Sequence, residues 1–134
     1  MPEFKLTRTG LPPLAFVGEL VAESDSKAHQ GPGQNRWHEL AVYRTAGGKW
    51  VASITFRTVW QGESDRHTAE VADTPAALVE IVCRYDPAHE WEGFPDRPEY
   101  AEKQARTQAA VTDGYRRAVS EVFDAVPEVA ERLS

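Results

Sequence analysis

A chain of 134 residues holds one ordinary domain around a single core. Apolar residues make up 41% and charged residues 27%, which excludes a disordered chain, and a lone cysteine, Cys83, excludes an internal disulfide and a four-cysteine zinc site. The net charge of -6 is divided unevenly, with seven Lys/Arg against five acids in residues 1–60 and eight against sixteen in 61–134. That excess of acid argues against a general nucleic-acid binder and leaves only a local basic face in the first half.

The first half reads as β-structure. Phe4 to Arg8 alternates as a short opening strand, ended by Gly10 and Pro12-Pro13. Leu14 to Glu23 is a second strand in which Phe16, Gly18 and Leu20 share a face, and Gly18 marks a bulge or a close backbone approach. Residues 24–35 have no apolar periodicity and contain Gly31-Pro32-Gly33, which gives a mobile loop.

Two β-rich runs, Arg36 to Ala46 and Lys49 to Trp60, flank Gly47-Gly48. A two-residue turn with both glycines at positive φ predicts a tight hairpin. That register sets Ala41 against Ile54, Tyr43 against Ala52, Glu39 against Phe56 and His38 against Arg57. One face then gathers Trp37, Ala41, Tyr43, Trp50, Ile54, Phe56 and Trp60 as core. The other presents Arg36, His38, Arg44, Lys49 and Arg57, with Ser53 and Thr55, and with Leu40, Val42, Val51 and Val59 among them, so it is half basic and half aliphatic and either partly covered or solvent-facing. Arg66 to Ala72 extends the meander.

The second half turns helical. Thr74-Pro75 is a cap and first-turn proline, and Leu78, Ile81, Val82 and Tyr85 recur at helical spacing. Cys83 follows that stripe and reads as a small buried hydrophobe. Residues 86–97 form an acidic loop carrying Trp91 and Phe94 between Glu90, Glu92 and Asp96. Asp96 to Glu99 resembles a capping box, and a long helix runs from there to about Val126. Its stripe is Val111, Tyr115, Ala118, Val119, Val122 and Val126; its first turns are polar, and Gly114 marks a place to bend.

The expected architecture is α+β in one domain, residues 1–134: an antiparallel meander sheet of four to five strands in 1–72, then two helices packed on one face in 73–134.

Chemistry is harder to find. No phosphate-cradling glycine loop occurs, and Ser64-Asp65-Arg66-His67 is too local to form a triad. His29, His38, His67 and His89 are too scattered to make a metal site, so neither metal nor cofactor is expected. The leading reading is a non-enzymatic protein that binds another protein as an accessory subunit, adaptor or inhibitor. Trp91, Phe94, Glu90 and Glu92 would make the contact, and the 99–126 helix is a candidate homodimer surface. An alternative is a nucleic-acid-binding sheet using Arg36, His38, Arg44, Lys49 and Arg57. A second alternative is a small enzyme with His38 or His67 as acid/base between sheet and helices. No apolar run reaches the roughly 20 residues of a membrane span and no signal-peptide pattern opens the chain, so a cytoplasmic location is expected.

Overall fold

Five strands use the first half of the chain: β1 (Glu3–Arg8), β2 (Leu11–Asp25), β3 (Arg36–Thr45), β4 (Trp50–Thr58) and β5 (Arg66–Ala72). They lie in sequence order, each antiparallel to the next. Two helices follow, α1 (Pro75–Arg84) and α2 (Pro98–Asp124). The computed structural model describes residues 1–29, 35–60, 62–88 and 98–130. The architecture is the expected α+β meander with both helices on one face: α1 lies against β4 and β5, and α2 against β2 and β3. No described helix is long and apolar enough to cross a membrane.

The hairpin register differs from the expected one by a single residue. Of the two hairpin glycines only Gly48 has positive φ, at 86°. Thr45 N–H donates to Lys49 O at 2.8 Å and Gly48 N–H to Thr45 O at 3.0 Å, so the loop has three residues, 46–48. His38 therefore faces Phe56, Glu39 faces Thr55, Ala41 faces Ser53 and Tyr43 faces Val51. Side chains alternate along a strand, so a one-residue shift moves a whole strand's set to the other face. Trp50, Ile54 and Phe56 are buried as expected, but the β3 side chains buried on the same face are His38, Leu40 and Val42. Trp37 and Tyr43 sit half-buried on the opposite face, and Trp60 lies beyond the end of β4, 45% exposed.

The core follows from that parity. Leu40, Val42, Trp50, Ala52 and Ile54 meet Leu78 and Val82 of α1 and Tyr115, Ala118 and Val122 of α2. Each fully buried aliphatic or aromatic side chain contributes about 1.5–3 kcal/mol. Thr74 caps α1, its Oγ1 accepting the Ala77 N–H at 3.1 Å with Pro75 next in line, which stabilises the helix by about 1 kcal/mol. Ser24 Oγ donates to Ala118 O at 2.7 Å and ties β2 to α2. Tyr115 Oη donates to Val82 O at 2.6 Å and ties α2 to α1. The long helix continues unbroken through the buried Gly114, and its polar first turns are largely exposed. Cys83 is exposed rather than buried.

At the other end of the sheet β2 outruns β3. Pro12 and Pro13 lie within β2 rather than separating two strands, on a stretch that pairs with β1 alone. A missing N–H costs nothing on such an edge. The turn of this hairpin reaches β5: Thr9 N–H donates to His67 O, and His67 N–H to Thr9 Oγ1, each at 2.8 Å. Gly18 sits where β2 begins to pair with β3; a Cβ there would stand 2.3 Å from Arg44 O. The close approach read from the sequence is real. Of the expected loop at 24–35, Ser24 and Asp25 belong to β2 and residues Lys27–His29 make a 3-10 turn beside the fully buried Ser26, while residues 30–34, with Gly31-Pro32-Gly33, lie outside the described residues.

Candidate functional site

The sheet has one face under helices and one that is only partly covered. On the second face Phe4 and Phe16 close over Tyr43, with ring centroids 4.8 and 5.3 Å away, and Val51 beside Tyr43 is fully buried. Beyond this aromatic cover the face opens into a cleft of about 520 Å³, bordered by Glu23, Asp25, Glu39, Ala41, Tyr43, Ser53 and Thr55. The small side chains of Ala41 and Ser53, directly opposite one another on β3 and β4, form its floor.

A β-bulge supplies the acids. The β2–β3 register shifts between Leu20 and Ala22. Before the shift Leu20 faces Tyr43 on the open side; after it Ala22 faces Val42, and Ala22 and Ser24 turn toward the helices. Glu23 and Asp25 are thereby aimed into the cleft, opposite Ala41 and Glu39. Asp25 and Glu39 are like charges placed directly across a strand pair, an unfavourable arrangement without a counter-ion. Arg57 answers Glu39 at 2.8 Å and Asp65 at 3.0 Å. Hydrogen bonds to both acids raise the Arg57 pKa. Burial works to raise Asp65, but the Thr58 N–H and Arg57 outweigh it and hold the carboxyl below its ordinary value. Glu23 and Asp25 have no ion-pair partner among the described residues; Asp25 Oδ1 accepts only the Ala28 N–H, at 3.3 Å. Burial, and then the neighbouring Glu23 charge, push the Tyr43 phenol up from its usual pKa. The cleft thus offers carboxylates, a phenol and hydroxyls to a positively charged guest.

The five basic residues expected on one hairpin face are not brought together. Arg36 is buried under the helix-side rim, 7% exposed, and forks onto Glu63 at 2.6–3.2 Å, with Trp60 stacked 5.1 Å away. His38 is wholly buried on the same side. Arg44 lies over the Trp50 ring at 4.2 Å, and Lys49 sits at the turn, 3.4 Å from Asp73. Arg57 points the other way, into the acid cluster. The physical reason is the shifted register, which separates 36, 38 and 44 on β3 from 57 on β4. His38 and His67 likewise belong to opposite faces, since His67 pairs with Thr55 and His38 with Phe56. The space between sheet and helices around His38 is filled by rings. Glu90, Trp91, Glu92 and Phe94, with Asp96 and His89, lie outside the described residues.

Reasoning from sequence missed Glu23, Asp25, Glu39 and Tyr43 as a group. Their signal was acids at i and i+2 near the end of a long strand, but only the bulge decides which way they face. Among the described residues no group of three or more His, Cys, Asp and Glu is placed to hold a metal ion. Comparison with protein-family models, with curated proteins and with solved structures finds no match.

Proposed function

We propose that the protein acts by binding, not catalysis, and that its open sheet face receives a Lys- or Arg-bearing segment of a partner protein. The observation that carries this reading is the imbalance within the cleft: Glu23 and Asp25 lack ion-pair partners among the described residues, while Arg57 serves Glu39 and Asp65. The cleft's 520 Å³ suits one or two long side chains rather than a folded surface. Glu90 and Glu92, flanking Trp91, carry the same sign of charge and would favour the same basic partner. The nucleic-acid alternative gains nothing from the geometry, because phosphate contact needs clustered cations and the five candidates are buried, paired or stacked. We place this activity in the cytoplasm, where an exposed free thiol such as Cys83 stays reduced.

The test is a fluorescence-anisotropy titration with a labelled eight-residue Lys/Arg-rich peptide, against a Glu/Asp-rich control, at rising salt. The basic peptide binds, the control does not, and affinity falls with ionic strength. The double variant Glu23→Gln, Asp25→Asn weakens binding about tenfold or more, equivalent to about 1.4 kcal/mol. Absence of binding at low ionic strength, or undiminished binding by the double variant, overturns the proposal.

A further inference from the structure

His38 is a polar side chain in an apolar position. It lies in the middle of β3 on the helix side of the sheet, and none of its surface reaches solvent. Its backbone is satisfied: the N–H donates to Ser26 Oγ and the carbonyl accepts the Ser26 N–H, both at 2.8 Å. Its ring is not. Neither Nδ1 nor Nε2 has a hydrogen-bond partner among the described residues. A neutral imidazole must leave at least one N–H donor and one acceptor unmet there.

The ring is instead enclosed by other rings, each from a different element. Phe56 of β4 is 5.4 Å away, Tyr85 at the end of α1 is 5.6 Å away, and Tyr115 of α2 is 5.3 Å away. Tyr115 has its hydroxyl committed to Val82 O. His38 thus marks the point where sheet, first helix and second helix meet. We infer that it is a proton-operated latch: neutral, it lets both helices seat on the sheet, and protonated, it releases them.

The surrounding groups support that assignment because, among the described residues, none rescues the cation. On β3, Arg36 faces the same side and is held by Glu63. On β4 the same face continues with the uncharged Thr58, and on β5 Arg66 stands opposite Phe56, exposed. The α1 end brings Tyr85 and an exposed Asp86 bonded to the Ala88 N–H. From α2 comes Tyr115, and the 3-10 turn's His29 is paired with Glu121. Burial alone lowers the imidazole pKa from 6.5 to about 4. The folded pKa therefore lies below the unfolded one. Above pH 6.5 the group is neutral in both states and has no effect; between 6.5 and about 4 the open state takes up a proton that the closed state refuses. Acid therefore favours opening. The way out is through the helices: β3 is held along both edges by β2 and β4, whereas Tyr85 is half-exposed at a helix end.

Hydrogen exchange on the full chain from pH 7.5 to 4.5, corrected for intrinsic rates, tests this beside an NMR titration of the His38 ring. Protection of α1 and α2 amides falls about tenfold for each pH unit below 6.5, as one linked proton requires, while β3 and β4 stay protected. His38→Leu, close in volume and unable to ionise, removes that loss. An unchanged acid opening in His38→Leu overturns the latch, as does a wild-type imidazole that titrates near 6.5 with both helices still protected. Should His38→Leu not fold, the wild type decides: helix opening that follows imidazole protonation supports the latch, and opening that precedes it overturns it.

Discussion

The two faces of this sheet are made by the same strands and do opposite things. On the helix side, Leu40, Val42, Ala52, Ile54 and Phe56 are at most 3% exposed, and large side chains leave no room for a guest. On the other side the intervening residues, Ala41, Ser53, Thr55 and Glu39, are small or polar and remain half-exposed, so a cleft persists. The difference lies in parity rather than composition. A three-residue loop at 46–48 and a bulge near Val21 decide which half of each alternating pattern meets the helices.

Substitutions on the closed face should be costly. Phe56→Ala removes a ring that is 1% exposed and touches His38, and should destabilise the fold by about 3–5 kcal/mol in urea unfolding. A cost below about 1 kcal/mol would mean that this face is not the principal core. Glu63→Gln removes the charge onto which the buried Arg36 guanidinium forks, and should cost about 3 kcal/mol by the same measurement.

The sequence announced the element order, the meander and the packing of both helices on one face, because these follow from Gly/Pro punctuation and from apolar spacing over long runs. The Thr74 cap and the stripe Val111, Tyr115, Ala118, Val122 appear as read. The cleft was illegible for a specific reason. Two glycines in a row are compatible with two- or three-residue hairpin loops, and the choice reverses the destination of His38 and Tyr43. Nothing local distinguishes Val21 as the bulged position, yet without that extra residue Ala22 and Ser24, not Glu23 and Asp25, would line the open face. Prolines 12 and 13 misled in the same way, since their tolerance depends on β3 ending before it reaches them.

Smaller effects sharpen the comparison from the open side. Gly18→Ala puts a methyl 2.3 Å from the Arg44 carbonyl, so β2 must shift away from β3. The expected loss is about 1–3 kcal/mol. In hydrogen exchange the damage should fall on the β1–β2 hairpin and its contact with β5 rather than on α1 and α2; loss spread evenly over the molecule would argue against a close approach that acts locally at this residue.

The least costly change should be Asp25→Asn. On the closed face any unmatched polarity is penalised, but here the carboxylate stands directly across from Glu39, and its removal relieves a like-charge pair. The amide oxygen of Asn still accepts the Ala28 N–H that Asp25 Oδ1 holds. Stability should stay level or rise by up to about 0.5 kcal/mol at low ionic strength, with the gain shrinking as salt screens the pair. A residue whose loss leaves the fold as stable or more so, and whose presence holds charge at the rim of a cleft, is placed there at the expense of stability. If Asp25→Asn instead destabilised the protein by more than about 1 kcal/mol, the carboxylate would be a structural part of the β2–β3 pairing and the open face would lose its strongest claim to be a binding surface.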